Sequence, residues 1–262
     1  MERYLAFLSH GIPAIGFISW GLALFVTAAA HRRNNNESQS LAAKRIEFYS
    51  IFLGSSGVIV FHCIVQPTRS YPDVEHISMA LPFIIYALAL RWKAKLSNSF
   101  VNLLGAAAFA QEFILFHWHS TDHKGVEGHY HALLQIIVAA CMFTCLGEAL
   151  FHRKLTIRLL RSFCILFQGV WLLQLALLLV FPSEFLPPDC RLFLHRHQKV
   201  ACSSEKLIMQ SKTVATLLFS WYFSLLMAAS AIAYAWIERN AMRYCPVGSL
   251  EDEETRALTN LF

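Results

Sequence analysis

Two apolar runs joined by a histidine-rich segment decide the fold of this chain. Residues 100–116 read FVNLLGAAAFAQEFILF, and residues 132–146 read ALLQIIVAACMFTCL. Between them, residues 117–131 read HWHSTDHKGVEGHYH and contain five histidines. Each apolar run, the second when extended to Leu150, matches the roughly 17–25 residues that cross a bilayer as a helix. We therefore expect a helical membrane hairpin with imidazoles at its turn.

The rest of the chain contains further runs of the same kind. Of 262 residues, 56% are hydrophobic and only 15% are charged, which is too apolar for an ordinary soluble domain. The half-polar alternation of a membrane β-barrel is absent. We predict an all-α polytopic bundle over residues 1–244, followed by a short acidic tail at residues 245–262. Its seven predicted spans are residues 12–30, 48–66, 77–92, 100–116, 131–150, 159–181 and 214–237.

Basic residues in the loops predict the orientation. The second and fourth loops offer only Arg69 and Lys124, and the sixth loop, with five basic residues, is longer and counts less. The odd loops contain Arg32, Arg33, Lys44, Arg45, Arg91, Lys93, Lys95, Arg153, Lys154, Arg158 and Arg161. Because loops rich in basic residues stay in the cytosol, we expect an outside N-terminus and a cytosolic C-terminus. The net charge of +5 follows mostly from this asymmetry, so the predicted partner is the lipid bilayer and not nucleic acid.

One glycosylation sequon tests this orientation. Asn36, Glu37 and Ser38 form the sequon in the first loop, which the predicted topology places in the cytosol. Protein expressed in eukaryotic cells should therefore keep its gel mobility after glycosidase digestion. A mobility shift that Asn36→Gln removes would reverse the orientation.

Ten of the twelve histidines gather on the outer face of the predicted bundle. They are His10, His62, His76, His117, His119, His123, His129, His131, His195 and His197. Imidazole is the commonest protein ligand for transition metals, and zinc takes three or four nitrogen or oxygen ligands from separate elements. We predict a divalent metal site, with zinc as the ion, at His119 and His131 together with His76 or His10. His62, His117, His123 and His129 are the alternates.

Glu112 lies inside an apolar run, about two helical turns from the surface. It precedes His119 by seven residues, so both share one face of the fourth span. A carboxylate within a membrane is costly and is a functional-site hypothesis by default. It can act as a metal ligand, as an orienting group or as a catalytic base. The alternative is a carboxylic acid that holds helices together by pairing with Gln111, Gln168 or Gln174.

Several functions remain open at this point. A metal-free bundle can sense pH or serve as a carrier or scaffold, because histidine titrates in the range of acidic compartments. A zinc site with an open position can hydrolyse a lipid amide or ester. Haem held by two axial histidines, such as His62 and His119, is less favoured because both lie at span ends. The plainest alternative is a set of interfacial histidines bonded to Tyr130, Asp122, Glu127 and lipid headgroups.

Small residues and cysteines in the spans have structural interpretations. Gly54, Gly57 and Gly105 allow membrane helices to approach closely. Cys190 and Cys202 share the sixth loop and can form a disulfide in an oxidising compartment, with free thiols as the alternative. The cysteines within spans, which we interpret as packing residues, are Cys63, Cys141, Cys145 and Cys164.

Four segments resemble a known family. They are HGIP at residues 10–13, QEFILFHWH at residues 111–119, HALL at residues 131–134 and LLRSFCILFQGVWLLQ at residues 159–174. Their order is similar to that of the transmembrane protein 45 family, a domain-of-unknown-function group of seven-span eukaryotic proteins. The resemblance covers about residues 10–244.

The histidine pattern resembles the plant branch of that family. His119 and His131 match the pattern of the whole family, whereas His123 and His129 match that of the branch. The family has no established biochemical activity, so the resemblance implies no reaction. It implies residence in the endomembrane system or the plasma membrane.

Overall fold

The computed structural model describes residues 2–31, 37–65, 71–92, 95–122, 125–151, 154–193 and 199–243. Seven helices of this part are long and apolar enough to cross a membrane, which confirms the predicted all-α fold with seven spans. The predicted tail at residues 245–262 lies outside the described residues, as do His123, His195 and His197. His119 is described as a position in a helix, but its side chain lies outside the described part.

The helices extend beyond the predicted spans, because hydropathy marks only the part that crosses hydrocarbon. In chain order they are α1 (Glu2–His31), α2 (Glu37–Val60), α3 (Tyr71–Arg91), α4 (Asn98–Asp122), α5 (Val126–Leu150), α6 (Leu155–Val180), α7 (Pro182–Phe185) and α8 (Glu205–Arg243). A π-helical turn, Phe61–Val65, continues α2.

The first six helices form a closed ring. Each packs mainly on the helix before it and the helix after it, and α6 closes the ring against α1. We call the end where α1 begins the histidine end, and the end where α1 stops the arginine end. Helix α8 lies outside the ring against α5 and α6, and most of its surface is exposed.

A small hairpin that the sequence did not predict lies at the histidine end. Strands β1 (Cys190–Phe193) and β2 (Lys199–Cys202) pair antiparallel, with Cys190 opposite Cys202. A disulfide joins these two cysteines, with an S–S distance of 2.05 Å, so the pairing that the sequence allowed is present. The hairpin contacts α5 and α8 and connects the peripheral helix to the ring.

The contact between α1 and α6 brings their backbones together. A Cβ atom built on Gly169 of α6 would lie 2.6 Å from the backbone nitrogen of Ile18 in α1. A Cβ atom on Gly21 of α1 would lie 2.6 Å from the backbone nitrogen of Leu166 in α6. Glycine is required at both positions because any larger residue would push the two helices apart.

The glycines named from the sequence also lie at helix contacts. Gly54 faces Gly16 across α1 and α2, and Gly105 faces the ring of Tyr86. Gly57 faces Ile12. The sequence interpretation was therefore sound for these positions, but it missed Gly21 and Gly169, where the approach is closest.

Replacing Gly169 should weaken the ring. Gly169→Ala should lower the free energy of unfolding by about 1–3 kcal/mol, since an added methyl group in a filled contact forces the backbones apart. Thermal unfolding of detergent-purified protein measures this effect. Gly147→Ala is the control, because its Cβ would meet Ile157 at an ordinary 3.5 Å. Equal unfolding midpoints for both variants would show that α1 and α6 tolerate separation.

Candidate functional site

Four histidine side chains meet at the histidine end of the ring. The ring centroid of His10 lies 6.3 Å from that of His76 and 6.3 Å from that of His131. His62, from the turn that continues α2, stacks on His76 with a centroid distance of 4.6 Å. We call these four residues the histidine cluster. It contains three of the four histidines first predicted as ligands and one of the alternates.

Two of these imidazoles are oriented by their own helices. The Nδ1 atom of His131 donates to the carbonyl oxygen of Glu127 (2.8 Å), and Nδ1 of His10 lies 3.2 Å from that of Ala6 and 3.0 Å from the hydroxyl oxygen of Ser9. Because a carbonyl oxygen only accepts, the proton of the neutral His131 ring lies on Nδ1, and its Nε2 is the acceptor. Metal-binding histidines are commonly oriented by such a bond to a backbone carbonyl.

The spacing of the rings is wider than that of a metal centre. Among the described residues, no three His, Cys, Asp or Glu side chains are placed to hold a metal ion. Two imidazoles that share a zinc ion through Nε2 have centroids roughly 5 Å apart, given zinc–nitrogen distances of about 2.1 Å. The 6.3 Å separations around His10 would therefore have to shorten by roughly 1 Å on metal binding.

The remaining histidines of the central segment are placed differently. The Nε2 atom of His129 lies 2.8 Å from the hydroxyl of Thr216 on α8, outside the ring. His117 is exposed, and its ring contacts the neighbouring Trp118 with a centroid distance of 5.8 Å. These two alternates do not join the histidine cluster. The side-chain partner of His129 is thus a threonine, which is not one of the partners considered from the sequence.

A cavity of about 80 Å³ lies inside the ring next to the histidine cluster. It is lined by residues of α1, α2, α3, α4 and α6, including His10 and His76. Along α1 it extends from Ser9 to Trp20, which corresponds to roughly 16 Å of helix. An aromatic layer forms its deep end, where the Trp20 ring stacks on Phe109 at a centroid distance of 5.7 Å.

Glu112 lines this cavity and is buried, with 4% of its surface exposed. Its Oε1 atom accepts a hydrogen bond of 2.8 Å from Nε2 of Gln168 on α6. The glutamine pairing considered from the sequence is therefore present, and Gln168 is the partner. The other two glutamines bond elsewhere, Gln111 to the carbonyl oxygen of Ser78 and Gln174 to the hydroxyl of Tyr222.

A buried ion-pair network lies at the arginine end. Arg161 of α6 is 2% exposed, and its Nη1 atom donates to Glu148 Oε2 at 2.7 Å. Its Nη2 atom donates to the hydroxyl of Tyr86 at 2.6 Å and lies 3.5 Å from Glu47 Oε1. The indole nitrogen of Trp20 donates to the same Glu47 oxygen at 3.3 Å. We call these five residues the arginine network; they join α1, α2, α3, α5 and α6.

The assignment of Arg161 to the basic residues of the fifth loop was wrong, although the predicted sixth span, residues 159–181, included this position. Helix α6 begins at Leu155, so Arg161 lies inside the bundle, where Glu47 and Glu148 compensate its charge. The sequence contained a signal for this site, since ionisable residues within membrane spans mark functional or structural pairs. Because other basic residues precede Arg161 in the chain, the loop-charge rule grouped it with them and hid its position inside the span.

Trp20 lines the cavity and also bonds to the network, so the arginine network closes the deep end of the cavity.

Removing Arg161 should destabilise the protein strongly. Arg161→Ala leaves two buried carboxylates without their cation, which costs about 3–5 kcal/mol in comparable cases. Arg158→Ala is the matched control, because Arg158 is 34% exposed and lies 3.5 Å from Glu148. Its loss should cost less than about 1 kcal/mol. Thermal unfolding in detergent distinguishes the two variants, and similar midpoints would contradict a central role for Arg161.

Comparison with known proteins identifies the family. The profile described as "Family of unknown function (DUF716)" matches residues 98–235, slightly more than half of the 262 residues. The matched part runs from α4 into α8 and includes Glu112, His131, Glu148, Arg161 and Gln168. No curated protein matches the chain. This chain is a member of the DUF716 family.

Proposed function

We propose that this protein is an integral membrane protein of the plant transmembrane protein 45 type that binds a divalent metal ion, with zinc as the first ion to test. The proposed ligands are His10, His76 and His131. The observation that carries the proposal is that the His10 ring lies 6.3 Å from the rings of both His76 and His131, and that His10 and His131 are oriented through Nδ1. A zinc ion on three helices would hold the histidine end of the ring together.

His119 is the proposed fourth ligand. It follows Phe116 by three residues on α4, and the Phe116 ring lies 6.0 Å from that of His131. Residues three apart share one face of a helix, and this spacing supports His119 as a ligand beside His131. With His119, the set would reach the four ligands of a closed zinc site.

The geometry favours a metal-binding role over zinc-dependent hydrolysis of a lipid. A hydrolytic zinc site needs a base that contacts the metal-bound water. Glu112 was the sequence-based candidate for this role, but one of its two carboxylate oxygens is already bonded to Gln168, and no hydrogen bond or ion pair among the described residues joins Glu112 to the histidine cluster. We therefore keep the zinc-dependent lipid hydrolase as a subordinate alternative.

Metal analysis tests the proposal. Detergent-purified protein should carry one zinc ion per chain by elemental analysis, and His10→Ala and His131→Ala should each weaken zinc binding at least tenfold. His129→Ala is the control and should keep the metal, because His129 contacts Thr216 outside the cluster. Absence of zinc binding in the wild-type protein, or equal binding in all three variants, would reject the site.

A second candidate function is pH sensing without a metal. The observation that favours it is the stacking of His62 on His76 at 4.6 Å, since protonation of both rings would bring two positive charges together. A metal-free protein whose tryptophan fluorescence changes between pH 5 and pH 7, and does so less in His76→Ala, would support this alternative.

The disulfide supports the proposed orientation. Disulfides persist in oxidising compartments, and the Cys190–Cys202 bond lies at the histidine end. We propose that this end faces the exterior or the lumen of the secretory system. The corresponding location is an endomembrane or the plasma membrane.

A further inference from the structure

Two buried acceptor atoms inside the ring have no hydrogen-bond partner among the described residues. They are Oε2 of Glu112 and Oε1 of Gln168. Their residues are bonded to each other through the remaining atoms, so the two acceptors belong to one polar pair. Burying an acceptor without a donor costs free energy. In the ionised carboxylate Oε2 only accepts, as does the amide oxygen, so the group that would satisfy them is a donor.

The surroundings of the pair favour a cationic donor with an apolar body. Glu112 lines the cavity, whose other walls include Phe17, Phe83, Phe116 and Leu172. A carboxylate in apolar surroundings is stabilised by an adjacent positive charge, and aromatic rings also attract cations. The buried Arg161 does not supply this charge, because its ion-pair partners are Glu47 and Glu148 of the arginine network.

The cavity limits the size of such a ligand. Its volume of about 80 Å³ has room for roughly five to eight water-sized groups. Its length of roughly 16 Å along α1 suits a short chain better than a bulky ring system. The polar side chains of Ser9, His10 and His76 lie at the opposite end from the aromatic layer.

We propose that the cavity binds a protonated organic amine with a short apolar chain. The ammonium group donates to Oε2 of Glu112, which lines the cavity, and the chain lies among the aromatic and aliphatic walls. The proposed ammonium position is at Glu112, whereas the proposed metal ligands His10 and His76 line another part of the same cavity. Amine binding does not require a metal ion.

Calorimetry with three ligands of equal chain length tests the proposal. Full-length protein in lipid nanodiscs is titrated with n-hexylamine, n-hexanol and hexanoate, and the heats from empty nanodiscs are subtracted. Hexylamine should bind at least tenfold more tightly than either of the others. Equal binding of the amine and the alcohol would overturn the role of Glu112, and absence of amine binding would overturn the site.

Two variants and one control distinguish the contribution of the Glu112 carboxylate to amine binding from that of the cavity space. Glu112→Gln removes the charge with little change of shape and should weaken hexylamine binding at least tenfold. Ser55→Phe fills the cavity from α2 and should have the same effect, whereas Ser56→Phe should not, because Ser56 is not among the cavity-lining residues. If Glu112→Gln fails to fold, the comparison of Ser55→Phe with Ser56→Phe still tests whether hexylamine binds in the cavity. Unchanged hexylamine binding in Ser55→Phe would contradict the proposal.

The metal and amine sites can be distinguished in the same experiments. His131→Ala should keep hexylamine binding, and Glu112→Gln should keep zinc binding if the wild-type protein binds zinc. Competition by sodium chloride, but not by choline chloride at equal ionic strength, would assign the site to a monovalent metal ion and overturn the organic amine.

Discussion

The backbone contact of α1 with α6 closes the ring, and the polar interior depends on that closure. Gly21 and Gly169 let the two helices approach until backbone atoms of one face backbone atoms of the other. Without this contact, the inward-facing polar groups of five helices would be open to lipid, where each unsatisfied group is costly. The closed ring instead leaves apolar side chains toward the membrane and keeps ionisable groups inside.

Polar groups within the ring lie in three layers. The histidine cluster is at one end, the Glu112–Gln168 pair is near the middle, and the arginine network is at the other end. The cavity extends from the first layer past the second and ends at Trp20, which bonds to the third. This arrangement separates the half of the interior that contains the cavity from the half that is filled by ion pairs.

The two charged sites differed in how far the sequence could predict them. Glu112 is the only charged residue in the apolar run at residues 100–116. The free energy needed to bury a carboxylate in hydrocarbon marked it as a candidate site residue. Arg161 stands near other basic residues, and the loop-charge rule assigned it to the cytosol although it is 2% exposed. Its partner Glu47 is 114 positions away in the chain, and such a pairing carries no local signal. The glutamine partner of Glu112 was likewise open among three residues until the packing of α4 on α6 was known.

The sequence by itself determined the fold class, the seven spans and the end of the bundle that carries the histidines. The physical reason is that the thickness of the bilayer sets the length of apolar runs, and alternating spans set the end at which each residue lies. Only the tertiary structure decided which histidines converge, which glutamine meets Glu112 and where Arg161 finds its carboxylates. These facts depend on the rotation of each helix about its axis and on the ring order. Both are set by side-chain packing between distant segments, and hydropathy does not encode them.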